Sequence, residues 1–171
     1  MHDLGPAARE LARVAAQVTD EDLDRPTPCG PWTVRDLLGH LLALTAHFAT
    51  VARHEEGRAG GPPVDLPEDW RALLDARLAD LASAWAEPTA WEGEGAAGAA
   101  TMPRAQLGVV ALEELVLHGW DLARSVGTDL STIEEIPNEG SDSDVEIVEC
   151  IVEVVRKAGR SLPFRRSALD D

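Results

Sequence analysis

Apolar residues recur at helical spacing in four stretches of the chain, separated by segments rich in Pro and Gly. Leu11, Val14 and Val18 lie three or four positions apart and predict a first helix over residues 6–18. Residues 24–32 carry three prolines and a glycine and read as a loop, since proline removes a backbone donor and fixes φ. Thr33 is suited to cap a second helix, with Asp36 three residues on as the acidic member of a capping box. Val34, Leu37, Leu38, Leu41, Leu44, Phe48 and Val51 then give that helix a broad apolar face to about residue 55.

A Gly/Pro-rich connection over 57–67 precedes a third helix over 68–85, patterned by Trp70, Leu73, Leu74, Leu78 and Leu81. Residues 91–101 are rich in Gly and Ala and read as a loop. Pro103 is placed to open a fourth helix that ends near Gly127. Residues 129–144 are polar and acidic and read as an exposed connector. In residues 144–157 Glu146, Glu149 and Glu153 oppose Val145, Val148, Ile151, Val152 and Val155 at helical spacing, with a strand as the minority reading. The expected architecture is all-α, an antiparallel four-helix bundle over residues 1–128, with 129–171 as acidic connector and additional C-terminal helical segment packed on the same domain.

Composition narrows the partners. Fifteen Lys and Arg against 31 Asp and Glu give a net charge of −16, and −11 if all five histidines are protonated. That argues against nucleic acid and anionic membrane surfaces, both of which select a positive field. No run approaches the ~18 apolar residues of a membrane span. Two cysteines, Cys29 and Cys150, without a signal-peptide pattern suggest a reduced, cytoplasmic setting with no disulfide.

The candidate chemistry lies in the fourth helix. At about 100° per residue, Leu107, Val110, Ala111 and Leu117 project within about 60° of Glu114, and His118 lies about 40° from it. A carboxylate in an apolar stripe is costly unless a cation or several donors meet it. No Lys is near in sequence, and Arg104 and Arg124 project to another side. A divalent metal ion would supply the charge, and a Glu/His pair one turn apart is a workable two-ligand clamp. The second helix offers His40, His47 and His54 as a third ligand. Seven-residue spacing puts consecutive members about 10.5 Å apart along the axis, so at most one can join the ion. His40 and His47 both lie on the rim of the apolar face, and spacing does not choose between them.

Two segments carry a family resemblance. Pro26-Thr-Pro-Cys-Gly-Pro-Trp-Thr-Val-Arg-Asp-Leu-Leu-Gly-His-Leu, followed by Glu114-Leu-Val-Leu-His-Gly-Trp-Asp-Leu-Ala, resembles the metal-binding domain of mycothiol-dependent maleylpyruvate isomerases, within the DinB-like superfamily of four-helix bundles. The resemblance covers residues 4–128 and implies a DinB-like fold with His40, Glu114 and His118 as metal ligands, so it selects His40. It also implies mycothiol as co-substrate. The mycothiol-dependent isomerase continues into a second, C-terminal domain, and residues 129–171 do not match it.

Other residues have plainer readings beside the functional ones. Asp36 can orient the imidazole of His40, but capping accounts for it equally well. Asp121 projects within about 20° of Glu114 and is a candidate hydrogen-bond partner for a ligand histidine or a fourth ligand, against a helix-face salt bridge. His47 is a candidate lining residue of a substrate cleft, though it and His54 read first as solvated or rim histidines. Cys29 reads as a small packed side chain, and Trp32 and Trp120 as core or interface residues.

Two histidines and a carboxylate leave positions for water or substrate, the pattern of catalytic sites. Zn²⁺ is the first choice, with Ni²⁺ or Fe²⁺ compatible. The expected function is a mycothiol-dependent isomerase or S-transferase acting on an electrophilic substrate. Competing readings are a non-catalytic metal-binding or stress-associated bundle, monomer or homodimer, and a metal-dependent hydrolase.

Overall fold

The computed structural model describes residues 1–55, 65–97 and 100–128. The connector and helix expected over 129–171, and most of the 57–67 connection, lie outside the described residues. Four helices build the bundle: α1 (Gly5–Ala15), α2 (Val34–Ala52), α3 (Trp70–Ala86) and α4 (Arg104–Val126). All four sit where the apolar periodicity places them. Short 3₁₀ turns follow α1 at Asp20–Asp22 and α3 at Pro88–Trp91.

The ends are set locally. The Thr33 hydroxyl accepts from the Asp36 amide at 3.3 Å, while the Asp36 carboxylate accepts from the Thr33 amide at 2.9 Å, closing the expected capping box. Pro103 occupies the N-cap of α4. Gly127 ends that helix in the left-handed region at φ 73°, where a Cβ would be strained.

Helix α2 packs on α3 and α4, and α1 packs on the same two. The pair α2 and α4 is antiparallel: Arg104, at the start of α4, donates from Nε to the carbonyl of Val51, near the end of α2, at 3.1 Å, whereas His40 faces Glu114 and His118 far along α4. Leu11, Val34, Leu37, Leu41, Leu81, Trp85, Leu107 and Leu122 are fully buried between the helices. The indole N–H of Trp85 is satisfied by the Phe48 carbonyl at 3.1 Å.

One expectation is corrected. The stretch over 91–101 read as loop, but Glu94–Ala97 and Ala100–Pro103 form an antiparallel pair, β1 and β2, with Glu94 opposite Pro103. Gly and Ala lack the alternating apolar pattern by which strands are recognised. The hairpin owes its place to tertiary contact. A Cβ on Gly95 would lie 2.9 Å from Leu107 and 3.3 Å from Val51, so only glycine lets the strand approach α2 and α4 this closely.

Candidate metal centre

The antiparallel pairing brings the first half of α2 against the middle of α4. Glu114 Oε2 lies 3.0 Å from Nε2 of His118 and 3.9 Å from Nε2 of His40. One ligand atom from each of the three residues lies within 4.8 Å of the others. The imidazole rings of His40 and His118 meet edge-on with centroids 5.0 Å apart. The indole of Trp32 packs against the outer side of His40 at 4.9 Å. A carboxylate and two imidazoles converging from two rigid helices form a donor set suited to a borderline divalent ion.

The far side of His118 is occupied as well. Its Nδ1 lies 3.2 Å from Oδ2 of Asp121, which is 0% exposed. The same oxygen accepts from the Cys29 thiol at 2.9 Å, and the sulfur is 3.7 Å from Nδ1. Cys29 is brought there by a tight loop. The Thr27 hydroxyl donates to the Trp32 carbonyl at 2.8 Å and accepts from the Cys29 amide at 3.1 Å. Gly30, at φ 69°, makes the turn, and Pro26 pairs with Thr33 where α2 begins.

These neighbours set the charges in the metal-free protein. Removal from water is the largest influence on Glu114 and pushes its carboxyl up, yet hydrogen bonds to His118 and His40, with their charges, bring it down to about 2. Removal from water likewise lowers His118, but the hydrogen bonds to Asp121, Cys29 and Glu114 and the charge of Glu114 raise it to about 11. Glu113, next in the chain, is pushed up by burial and by the charge of Glu114. Without an ion, the protonated His118 donates one N–H to each of two carboxylates, Nε2–H to Glu114 and Nδ1–H to Asp121.

Of the residues singled out in the sequence, His40, Glu114, His118 and Asp121 come together. Asp36 stands at the helix cap, its Oδ2 accepting from both the amide and the hydroxyl of Thr33. His47 is buried rather than solvated, at 9% exposure; its ring packs on Phe48, and Nδ1 has no hydrogen-bond partner among the described residues. His54 lies just past the C-cap of α2, at φ 59°, and reaches the Thr89 carbonyl at 2.8 Å.

Cys29 and Trp32 are the residues sequence reasoning set aside, and both line the centre. Their signal was positional. A proline-stiffened loop that closes directly onto the cap of α2 stays within two turns of His40.

Residues 4–123 match the family described as the mycothiol maleylpyruvate isomerase N-terminal domain. The chain belongs to that family. Two uncharacterized proteins of Mycobacterium tuberculosis, from strains CDC 1551 / Oshkosh and ATCC 25618 / H37Rv, are each 27% identical over 125 residues, 70% of this chain. The chain spans 64% of the length of either relative. The crystal structure of the mycothiol-dependent maleylpyruvate isomerase superposes with a TM-score of 0.59 at 18% identity, covering 87% of this chain and 65% of that one. A histidine-to-alanine mutant of that enzyme gives 0.57 with the same coverage. The fold of the family domain is thereby shared, with four helices as its frame. Among the described residues no helix is long and apolar enough to cross a membrane.

Proposed function

We propose that His40, Glu114 and His118 hold a catalytic divalent metal ion, Zn²⁺ by preference, and that the protein is a mycothiol-dependent isomerase or S-transferase of the cytoplasm. The observation that carries this reading is the two-sided hold on His118. Glu114 lies at Nε2, 3.0 Å away, and the buried Asp121 at Nδ1, 3.2 Å away. A carboxylate on the far nitrogen fixes the tautomer that leaves Nε2 free to ligate and raises its basicity. It also places Asp121 on the opposite edge of the ring from the proposed ion, so Asp121 does not close the coordination sphere. That favours an open, reactive centre over a structural one.

A divalent ion there supplies Lewis acidity and keeps a thiol ligand ionised at neutral pH. The residues of the chain do the rest. Glu114 brings the negative charge that offsets the ion, while His40 is held in orientation by Trp32 on its outer face. His47, seven residues beyond His40 on the same helix face, is proposed to line the cleft that receives the substrate or the body of the thiol.

The reaction class is addition of a low-molecular-weight thiol to an electrophilic carbon. Reversible addition to a conjugated double bond forms a C–S bond and delivers the thiol proton to the neighbouring carbon. Rotation about the resulting single bond and elimination of the thiol then give the isomer. Transfer without elimination gives the S-conjugate. The test is a mycothiol assay with maleylpyruvate and with a panel of conjugated electrophiles, using zinc-loaded wild type beside His40→Ala. Mycothiol-dependent turnover that disappears in the variant supports the reading. Zinc-loaded wild type inert toward every electrophile would leave a metal-binding bundle without this chemistry.

A further inference from the structure

Beyond the centre that faces Glu114, we infer that the opposite edge of His118 forms a second metal-binding trio, Cys29, His118 Nδ1 and Asp121, selective for thiophilic ions such as Cd²⁺. Three observations support it. The donor atoms are already clustered: Cys29 Sγ is 3.7 Å from His118 Nδ1, Nδ1 is 3.2 Å from Asp121 Oδ2, and Sγ is 2.9 Å from the same oxygen. A tetrahedral Zn²⁺, with metal–sulfur bonds of about 2.3 Å and metal–nitrogen or –oxygen bonds of about 2.0 Å, sets its donors about 3.3–3.6 Å apart, and the larger Cd²⁺ spreads them slightly further. Two of the three separations are near that range, and the third needs the thiol to move by well under the length of a bond.

The second observation is charge. Asp121 is 0% exposed and Glu114 is half-buried, so two carboxylates flank one imidazole and the pocket favours a cation. The third is rigidity. Cys29 is held by its amide on Thr27 in a loop stapled to the start of α2, and His118 and Asp121 lie one turn apart on α4. The donors therefore come from two fixed elements, as a binding site requires.

The two trios differ in softness. His40, Glu114 and His118 Nε2 offer nitrogen and oxygen only, whereas the second trio adds a sulfur, which selects softer ions. Loaded while the other trio is empty, it releases the thiol proton of Cys29 and the proton of Nδ1, leaving a thiolate and a neutral imidazole whose remaining N–H, at Nε2, faces Glu114. Among the described residues Cys29 carries a free thiol.

The test uses the full chain in a Cys150→Ser background, so that only Cys29 can report, with Cd²⁺ alone as the probe. Cadmium is expected to produce an ultraviolet thiolate-to-metal charge-transfer band that saturates at one equivalent. The band should vanish on adding Cys29→Ser and persist on adding His40→Ala, which removes a donor only from the other trio. No band in the Cys150→Ser protein would overturn the inference. Loss of the band in both added variants would also overturn it, because Cys29 would then belong to a single site with His40. Since His40→Ala separates the two trios, failure here leaves the zinc proposal standing, and failure of the zinc proposal leaves this site intact.

Discussion

Asp121 and His118 are hydrogen-bonded one turn apart on α4, with 3.2 Å between the carboxylate oxygen and Nδ1, and Asp121 is sealed from solvent. The consequence concerns the opposite nitrogen, which this bond leaves directed at Glu114. Replacing Asp121 by Asn keeps the shape but removes the charge, and the amide can present N–H to Nδ1 and favour the wrong tautomer. Zinc affinity, measured by competition with a chromophoric chelator, is expected to fall about 10–100-fold. Unchanged affinity in a folded Asp121→Asn protein would remove Asp121 from the account.

Metal binding should be strongly pH-dependent. His118 is raised to about 11 in the metal-free protein, so at neutral pH the ion must displace its proton, whereas Glu114, lowered to about 2, is already ionised. Apparent affinity is expected to rise about tenfold per pH unit across roughly pH 7 to 9. Calorimetry in buffers of different ionisation enthalpy would show the released proton, and a pH-independent affinity would contradict it.

The same shifts govern stability of the metal-free protein. The folded state raises His118, so its contribution is complete below the ordinary value of 6.5 and is lost as pH climbs toward about 11. The folded state lowers Glu114, so its contribution is complete above the ordinary 4.5 and is lost as pH falls toward about 2. Urea midpoints should decline on both sides of that window, and Glu114→Gln should flatten the acid limb.

Gly108 tests the packing that supports α4 beneath the hairpin. A Cβ there would lie 2.5 Å from the Trp91 ring and 2.8 Å from that of Trp85, two indoles already stacked edge-on at 4.9 Å. Gly108→Ala is expected to cost about 1–3 kcal/mol in urea unfolding, with a change in tryptophan fluorescence. A variant as stable as wild type would show that the indoles have room to yield.

Much of this arrangement was legible in the chain. Thr33 and Asp36 announce the start of α2 by chemistry that acts over four residues, and Gly127 ends α4 for an equally local reason. Glu114 stood out because it interrupts an apolar stripe. The choice of His40 over His47 was not visible in spacing, since both occupy the rim of the same face; it depends on the antiparallel register of α2 against α4. Cys29 and Trp32 pack against the core as their composition suggests, but their contacts with His118 and His40 were not legible, for a related reason. Their loop folds over the end of the bundle, and that contact is long-range, with no periodicity to betray it. The hairpin at 94–103 escaped because glycine and alanine carry almost no pattern, and its position is fixed by Val51, Arg104 and Leu107 instead.

The most direct measurement is metal content by mass spectrometry on protein purified without an affinity tag, beside Glu114→Ala. About one equivalent of Zn, Ni or Fe in the wild type, lost in the variant, is the predicted result. A wild type that is metal-free and neither binds added Zn²⁺ nor gains stability from it would contradict the central claim.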